Sequence, residues 1–461
     1  MNTLVLTTAL ADELLRAARR DVEVAGVLLV RILDAGDGDH RLLGRTVRWV
    51  PESEYIQQTS MGLQIPSTGY VPSLSEAEKN GEVAIWFHTH PGSDAIPRPS
   101  NHDREVDRQI AELFRIRSGS PYYGTLILSP RRENCAFTGT IHHEDRMAET
   151  IDRLWIVGER WRLLSSFNSK TAEIATIFDR NVRAFGPAMQ QALGEMHVAI
   201  VGCGGTGSAV AEQLVRLGVR NFTLIDSDMV SASNVTRLYG STIMDVGRPK
   251  VEVVGNHLEQ IAPDTKCRMI KGMVTVQSVA WSLTAADLIF GCTDDNAGRL
   301  VLSRLSTYFL TPVIDMGVLL GSTEVGILSD INGRITVLSP GSACLVCRDR
   351  IDLQRAAVEL MHPEERRRLH DEGYAPALGN TEPAVIAFTT GVAAAAVAEM
   401  LERLTGYGPE PRPSEILLRF HEREVSTNTR LPREGHYCHA RSNKWGWGGG
   451  SPFLEQTWQD V

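Results

Sequence analysis

The short stretch HTHPGSDAIPRPSNHD begins with two histidines one residue apart, and a serine and an aspartate near its end follow them on a proline-rich loop. His88 and His90 alternate at the end of an apolar run that predicts a strand, so their side chains should point to one face. Two imidazoles on one face can bind zinc, and Asp103, in the first turn of the next predicted helix, can add a carboxylate ligand. Three protein ligands leave a fourth tetrahedral position for water, which is the arrangement of catalytic zinc.

A zinc-bound water still needs a base to take its proton, because zinc lowers the pKa of that water only towards about 7. Glu23, in the tetrapeptide EVAG just before a predicted strand, is well placed for this role. Ser100 can donate a hydrogen bond to a developing oxyanion. The alternative is a surface histidine pair followed by a serine and an aspartate that only cap a helix.

A second kind of chemistry is indicated by the segment AIVGCGGTGSAV. Its four glycines, between a predicted strand and a predicted helix, place phosphates at a helix N-terminus in many nucleotide-binding folds: Gly202, Gly204, Gly205 and Gly207. Taken alone, this turn would equally fit a dinucleotide-binding dehydrogenase.

Polar residues further along the chain favour a triphosphate over a nicotinamide. Asp226 ends the second predicted strand, where a carboxylate can hold a ribose, and Asn234 and Arg237 follow in the next loop. Lys250 begins a predicted helix, and Asp294 lies just beyond a later strand, where it can bind Mg²⁺. Glycines, a ribose acid, two cations and a magnesium acid together predict an ATP site.

The seven cysteines are an odd number spread over a long chain, which argues against a disulfide framework. Cys344 and Cys347 have Cys-x-x-Cys spacing, and Cys438 stands near the end with His436 and His439 beside it. A structural Cys₃His zinc site with one of these two histidines is one interpretation, and buried apolar cysteines are the other. Two further cysteines, Cys203 and Cys292, are expected to be packing residues.

The elements that must position these residues fall into two groups. Residues 1–145 read as an α+β domain, 146–174 as a helical linker, and 441–461 as a loosely ordered tail. From 175 to 440 strands and helices alternate, which is typical of a doubly wound, mostly parallel sheet. A long Ala-rich helix is predicted near the end of this second domain.

Bulk composition excludes several classes of protein. The 461 residues carry a net charge of −9, which argues against a nucleic-acid binder that relies on a basic surface. No apolar run approaches the roughly 20 residues of a membrane span, and the N-terminus lacks the basic region of a signal peptide. We therefore expect a cytoplasmic protein with no membrane partner.

The order of motifs in the first domain resembles the JAMM (JAB/MPN) metalloproteases. The resemblance rests on Glu-x-x-Gly, His-x-His-Pro and Ser-x-x-Asp, although eight residues separate Pro91 from Ser100, two more than in the usual pattern. It implies a JAB/MPN fold and a zinc isopeptidase that acts on ubiquitin-like proteins or their C-terminal extensions. His88, His90 and Asp103 would then hold zinc, with Glu23 as general base and Ser100 as oxyanion donor.

The second domain resembles the Rossmann-like adenylation domain of E1 enzymes and of the ThiF/MoeB sulfur-carrier activators. The segment IFDRNVRAFGP is similar to that family's N-terminal part, so the resemblance implies an arginine finger at Arg180, delivered from the second subunit of a homodimer. It also implies that Arg237 and Lys250 bind phosphates, that Asn234 supports the site, and that Asp294 holds Mg²⁺. Asp295 stands where the family commonly has asparagine.

Together the two resemblances imply an enzyme that activates the C-terminus of a ubiquitin-like protein with ATP and Mg²⁺ and cleaves that protein or its conjugates with zinc. The loop from Asp371 to Pro383, where E1 enzymes often carry a nucleophile, has no cysteine, so we expect an adenylate without a stable thioester. An E2-like partner fits if a thioester does form. Two alternatives stay open: a sulfur-carrier activator for biosynthesis, and a non-catalytic scaffold with degenerate sites.

Overall fold

The computed structural model describes residues 1–36, 38–92, 96–131, 134–166, 174–324, 327–362, 364–365, 368, 384–449 and 452–458. The chain divides into two compact units. Unit 1 comprises Met1–Thr171 and Gly446–Gly448, and unit 2 comprises Ala172–Trp445 and Gly449–Val461.

Unit 1 combines one large sheet, a short hairpin and three helices. Its elements are β1 (Asn2–Thr7), α1 (Thr8–Ala18), β2 (Ala25–Gly36), β3 (Asp39–Trp49), β4 (Gln57–Gln58), β5 (Leu63–Gln64), α2 (Val71–Asn80), β6 (Val83–Thr89), α3 (Asn101–Ser118), β7 (Tyr122–Arg131), β8 (Asn134–His143), β9 (Glu149–Val157) and β10 (Arg162–Ser165).

The large sheet has the order β1-β3-β2-β6-β7-β8-β9-β10, and β1 also pairs with β9, so the sheet closes on itself. Side chains alternate between its faces. On β2, Leu28 belongs to the apolar cluster that includes Leu14 of α1. The neighbouring Leu29 belongs to the opposite cluster, with Leu74 of α2 and Phe114 of α3. Both faces of this α+β sheet are therefore covered by helices.

The helical linker predicted for residues 146–174 is wrong where the structure describes it. Glu149–Val157 and Arg162–Ser165 are strands, and β9 pairs with β1 and β8 inside unit 1. Every residue from Arg153 to Val157 is buried. A strand covered on both faces lacks the alternation of apolar and polar residues that reveals a strand in a sequence, which explains the error.

Unit 2 alternates helices and strands before it ends in antiparallel strands. Its elements are α4 (Asp179–Phe185), α5 (Pro187–Glu195), β11 (His197–Val201), α6 (Gly205–Leu217), β12 (Asn221–Ile225), α7 (Lys250–Ile261), β13 (Lys266–Ile270), α8 (Gln277–Trp281), β14 (Leu288–Gly291), α9 (Asn296–Tyr308), β15 (Val313–Glu324), β16 (Ile327–Leu338), α10 (Leu353–Glu359), α11 (Ile386–Thr405), β17 (Glu415–Arg419) and β18 (Glu424–Asn428).

The sheet of unit 2 has the order β13-β12-β11-β14-β15-β16-β17-β18. The strands from β13 to β15 are parallel, and β16, β17 and β18 extend the sheet antiparallel. This confirms the doubly wound, mostly parallel fold. The chain first builds outward from β11 through β12 to β13 and then returns to place β14 on the other side of β11. In such sheets, ligands bind at the carboxyl ends of the strands where this reversal occurs.

Helix α11 confirms the long Ala-rich helix predicted from the sequence. Its buried side includes Val392, Ala393 and Ala396, which are fully buried. The small side chains allow close packing of this helix within unit 2. Among the helices in the described part of the chain, none is both long and apolar enough to span a membrane.

The prediction of a loosely ordered tail is also wrong for its described part. Phe453 is 1% exposed and its ring centroid lies 4.4 Å from that of Trp281. Tyr308 donates a hydrogen bond of 2.7 Å to the Glu455 carboxylate. These side-chain contacts hold the segment Phe453–Glu455 within unit 2, although its sequence shows no periodic pattern.

Candidate nucleotide and metal sites

The glycine turn between β11 and α6 is fixed by close backbone contacts. Gly202 has φ 93°, in the left-handed region that favours glycine, and a Cβ there would lie 2.6 Å from the carbonyl oxygen of Cys292. A Cβ on Gly207 would lie 1.9 Å from the carbonyl oxygen of Gly202. By contrast, no heavy atom lies within 4 Å of the Cβ position of Gly204. The turn is tight on its inner side, and its outer side leaves backbone N–H groups accessible to phosphates.

Asp226, directly after β12, holds the glycine turn from the neighbouring strand. Its two carboxylate oxygens accept hydrogen bonds from the backbone N–H groups of Cys203 at 2.7 Å and Asp228 at 2.8 Å. Burial raises the pKa of this carboxyl, and the charge of Lys250 opposes that effect. Each oxygen keeps a further lone pair, so the carboxylate can still accept hydrogen bonds from ribose hydroxyls.

The predicted phosphate-binding cations gather around the same turn. Lys250 is buried at the start of α7, and its Nζ lies 2.7 Å from Oδ2 of Asp228. The Cδ of Arg237 lies 3.2 Å from the point where a Cβ on Gly205 would be. Asn234 accepts a hydrogen bond from the Ser231 backbone at 3.0 Å, which orders the loop that carries Arg237. The structure therefore brings these three predicted residues together.

Asp294 and Asp295 follow β14 but have different surroundings. Asp295 caps α9, because its carboxylate accepts hydrogen bonds from the backbone of Gly298 and the hydroxyl of Thr293. Asp294 is exposed, and within the described residues it has no hydrogen-bond or ion-pair partner. An uncommitted carboxylate beside the glycine turn suits Mg²⁺, which usually keeps several of its waters when it binds a protein.

Arg180, the predicted arginine finger, lies at the wrong end of α6 to reach the glycine turn of its own chain. Phe178, two residues earlier, has ring atoms 3.3 Å from the Cβ position of Gly218, which ends α6. The glycine turn lies at the other end of this 13-residue helix, about 20 Å away at 1.5 Å per residue. Arg180 is exposed, and within the described residues it has no ion-pair partner.

In unit 1, the end of β6 and the start of α3 bring the three predicted metal ligands together. The Nε2 atoms of His88 and His90 are 3.1 Å apart, and they lie 3.4 and 3.7 Å from the Asp103 carboxylate oxygens. Nitrogen ligands of a tetrahedral zinc lie roughly 3.3 Å apart at usual bond lengths. His88 is buried and the other two are partly exposed, so the cluster is open on one side.

The Ser100 and Asp103 side chains have a structural as well as a potential catalytic role. The Ser100 hydroxyl oxygen accepts a hydrogen bond from the Asp103 backbone at 3.1 Å, and the Asp103 carboxylate accepts one from the Ser100 backbone at 2.6 Å. This capping box fixes Asp103 beside the histidines. Burial tends to raise the pKa of Asp103, but hydrogen bonding to His88, its charge and the Ser100 bonds bring the pKa far below the usual range.

Glu23 is buried next to this cluster, and backbone hydrogen bonds of the neighbouring residue Val24 fix its position. Val24 N–H donates to the Thr89 hydroxyl at 2.9 Å, and Thr89 N–H donates to the Val24 carbonyl at 2.9 Å. Thr89 stands between the two histidines, so these bonds set Glu23 beside them. Burial raises the pKa of the Glu23 carboxyl, while the charge of His88 lowers it. A carboxyl with a raised pKa is better suited to accept and return a proton near neutral pH.

Four residues of unit 2 form a second candidate metal cluster. Ligand atoms of Cys344, Cys347, His436 and Cys438 all lie within 4.8 Å of one another. The sulfur atoms of Cys347 and Cys438 are 3.7 Å apart, and tetrahedral zinc places its sulfur ligands about 3.8 Å apart. A hydrogen bond from Cys438 lowers the pKa of Cys344 to about 5, which favours the thiolate that binds metals. The structure selects His436 over His439 as the histidine of this cluster.

Several residues that position these sites are not evident from the sequence. Asp228 pairs with Lys250, and Thr89 orients Glu23 through the backbone. Asp228 and Thr89 both lie within the sequence motifs of these sites. Their position in the motifs is the feature of the sequence that could have indicated their roles. Cys203 and Cys292 are packing residues as expected, and burial raises the pKa of both thiols. The loop from Asp371 to Pro383 lies outside the described residues.

Comparison with known proteins decides the family of unit 2. The model of the ThiF family matches residues 178–440, which is more than half of the chain. This chain belongs to the ThiF family. The match spans Lys250, Asp294 and the Cys₃His cluster.

Three curated relatives resemble parts of this ThiF-family chain. Molybdopterin-synthase adenylyltransferase of Escherichia coli K12 is 31% identical over 37% of this chain and 65% of its own length. Sulfur carrier protein ThiS adenylyltransferase of the same organism is 31% identical over 33% of this chain and 56% of its own. SAMP-activating enzyme E1 of Haloferax volcanii is 25% identical over 35% of this chain and 56% of its own. The chain thus spans less than two thirds of each relative.

The metal content of a cysteine variant tests whether the Cys₃His cluster binds zinc. Cys438→Ser should lower the zinc content of the purified protein by one equivalent per chain and lower its unfolding temperature, because a structural zinc adds folding free energy. Inductively coupled plasma mass spectrometry and calorimetry measure both effects. Cys267→Ser is the matched control, since Cys267 is half-buried on β13 outside the cluster. Equal zinc content in Cys438→Ser and the parent protein would show that the cluster holds no zinc.

Proposed function

We propose that unit 2 activates the C-terminal carboxylate of a ubiquitin-like protein by ATP-dependent adenylation. The observation that carries this proposal is the convergence of the glycine turn, Asp226, Arg237, Lys250 and Asp294 on one edge of the sheet. The names of the ThiF-family relatives support it, because two are adenylyltransferases and one is an E1.

The proposed reaction is attack of a carboxylate oxygen on the α-phosphorus of ATP. A new bond joins this oxygen to phosphorus, the bond from phosphorus to the bridging oxygen breaks, and pyrophosphate leaves with its electron pair. Arg237 and Lys250 neutralise the negative charge that develops on the phosphate oxygens. Mg²⁺ held by Asp294 would add positive charge at the phosphates.

A homodimer follows from this proposal if Arg180 acts at the phosphates. Because Arg180 stands at the far end of α6 from the glycine turn, it cannot serve the site of its own chain. A second copy can deliver it to that site, and Arg180 is exposed with no ion-pair partner among the described residues of its own chain, which supports such an arrangement.

The relatives' names favour sulfur-carrier activation as a second candidate function, since one of them acts on a sulfur carrier. Both candidates share the same adenylation chemistry and differ in the fate of the adenylate. A neighbouring gene for an E2-like protein would favour conjugation, whereas a neighbouring sulfurtransferase gene would favour sulfur transfer. The degenerate-scaffold alternative predicts incomplete sites, yet both sites keep their chemically active residues.

Thioester transfer from the adenylate is not part of the proposal. Cys344, Cys347 and Cys438 lie in the Cys₃His cluster, where a bound zinc would commit their sulfurs. We therefore propose that the carrier stops as an adenylate unless a partner provides the thiol, and an E2-like protein could provide it.

The adenylation proposal is tested by pyrophosphate exchange into ATP, with a neighbouring ubiquitin-like protein as carrier. Asp294→Ala and Lys250→Ala should each lower the exchange rate at least a hundredfold, because Lys250 neutralises phosphate charge directly and Asp294 would do so through the Mg²⁺ that it holds. Lys266→Ala, at an exposed lysine that begins β13 at the opposite edge of the sheet, should leave the exchange rate within twofold. Exchange that survives in both site variants, or tight binding of NAD in place of ATP, would contradict the proposal.

For unit 1 we propose a zinc-dependent isopeptidase that matures the same ubiquitin-like protein or removes its conjugates. The observations that support it are the open His88, His90 and Asp103 cluster and the buried Glu23 beside it. A bound zinc would supply Lewis acidity toward water and the scissile carbonyl. Glu23 takes a proton at its carboxylate and passes it to the leaving amine, and Ser100 donates its hydroxyl hydrogen to the carbonyl oxygen.

The isopeptidase proposal is tested by separating metal binding from cleavage. Glu23→Gln should retain zinc but lose at least a hundredfold in cleavage of a carrier with a C-terminal extension, because the variant removes the base and no ligand. His88→Ala should lose both zinc and cleavage. Glu112→Gln, at an exposed position on α3, is the control. Full cleavage by Glu23→Gln would reject the assignment of the base.

A further inference from the structure

A buried aspartate between two arginines lies beside the proposed ATP site, and the adenylation chemistry described above does not use it. Asp315, on β15, is fully buried. Nη2 of Arg334 on β16 lies 2.6 Å from one of its carboxylate oxygens, and Nε of Arg299 on α9 lies 3.6 Å from the other. The three residues come from three different elements and meet beside β15, the last strand of the parallel part of the sheet.

The charges of this cluster do not balance. Two guanidinium groups face one carboxylate, so the cluster carries one excess positive charge. Within the described residues, Oδ1 of Asp315 and Nε of Arg299 are buried without a hydrogen-bond partner, because they face each other as an ion pair at 3.6 Å, beyond hydrogen-bond distance. Buried charge is costly unless it is paired and fully hydrogen-bonded. The arginine side chains keep 18% and 13% of their surface exposed, so an anion from solvent can reach them.

Gly317 leaves room for such an anion between the arginines. The point where its Cβ would be lies 3.4 Å from Nη2 of Arg334 and 3.6 Å from Nη2 of Arg299. Gly317 is the cross-strand partner of Arg334 on the β15–β16 ladder. A small anion above Gly317 can therefore accept hydrogen bonds from both guanidinium groups.

The face of β15 that carries these residues runs from the protein interior to the surface. Asp315, Gly317 and Leu319 point to the same face, because side chains alternate along a strand. Asp315 is fully buried, Gly317 is half-buried, and Leu319 is 54% exposed. An extended chain end can enter along this face and place its terminal group at the two arginines.

The proposed ATP site adjoins the same cluster. Asp315 pairs with Gly291 at the end of β14, and Asp294 follows three residues later. Neighbouring strands of a sheet lie about 4.8 Å apart, so the cluster and the Asp294 loop are adjacent. Cys292, in that loop, also contacts the Gly202 turn. The glycine turn and Asp226 follow β11 and β12, Asp294 follows β14, and the cationic cluster lies at β15, β16 and α9.

We propose that Arg299 and Arg334 bind the C-terminal carboxylate of the carrier protein and hold it for attack on ATP, with Asp315 as the positioning residue that fixes both guanidinium groups. This inference rests on the proposed adenylation function. A carboxylate oxygen that accepts one guanidinium hydrogen bond keeps a lone pair for the α-phosphorus. The narrow space over Gly317 favours a terminal residue with little or no side chain.

The clamp is tested by direct binding of a synthetic peptide to the full-length enzyme. The probe is a fluorescent decapeptide that ends in two glycines, as the free acid and as the C-terminal amide, with Mg²⁺ and an ATP analogue that has a methylene bridge between its α- and β-phosphates. The acid should bind about tenfold to a hundredfold more tightly than the amide, because hydrogen bonds to charged groups are lost in the amide.

Three variants separate the clamp from a purely structural ion cluster. Arg299→Gln and Gly317→Ala should each abolish the preference for the acid while the affinity for the ATP analogue stays within twofold. Arg299→Lys should restore part of the preference. Arg216→Gln, at an exposed arginine on α6, should change neither affinity.

Each outcome bears on a different claim. An enzyme that binds both peptide forms equally, or neither form measurably, contradicts the clamp. Loss of ATP-analogue affinity together with peptide affinity in Arg299→Gln also contradicts it, because that pattern indicates a general structural role. Failure of the parent protein to bind the ATP analogue rejects the proposed adenylation function. A clear preference for the acid without adenylate formation supports the clamp and rejects adenylation.

Discussion

Unit 2 depends on one steric constraint, the contact between the start of α6 and the glycine turn. The carbonyl oxygen of Gly202 occupies the space that a Cβ on Gly207 would need, so helix and turn approach as closely as two backbones can. Asp226 fixes the turn from the next strand through the Cys203 N–H. Once this corner is set, the carboxyl ends of β11, β12 and β14 present backbone donors, cations and a free carboxylate on one edge. The ATP chemistry proposed for this edge is a consequence of that packing.

In unit 1, hydrogen bonds rather than a steric contact position the residues of the candidate metal site. Asp103 closes a capping box with Ser100 and at the same time faces His88 and His90, so one carboxylate both starts α3 and completes the metal cluster. The backbone bonds between Val24 and Thr89 then set Glu23 beside the histidines. Because helix start, strand end and base are linked in this way, the contacts that fold unit 1 also set the geometry of the candidate metal site.

Much of this structure could be predicted from short motifs in the sequence. The Gly202–Gly207 turn, the Ser100 cap and the Cys344–Cys347 pair depend on residues close together in the chain, so spacing alone located them. Features that depend on distant pairing were missed. The Arg153–Val157 half of strand β9 is buried on both faces and shows no alternation, and the Arg299, Asp315 and Arg334 cluster joins three elements. The choice of His436 over His439 and the position of Arg180 likewise required the folded chain.

The central claim is that a carboxylate attacks the α-phosphorus of ATP at the edge formed by β11, β12 and β14. The most direct measurement follows the label from ATP carrying ³²P at the α-position, with the full-length enzyme and its carrier protein. Our account predicts labelled AMP attached to the carrier and equal amounts of unlabelled pyrophosphate, and hydroxylamine should release the labelled AMP. Labelled ADP with unlabelled inorganic phosphate would place the attack at the γ-phosphorus and would contradict the account.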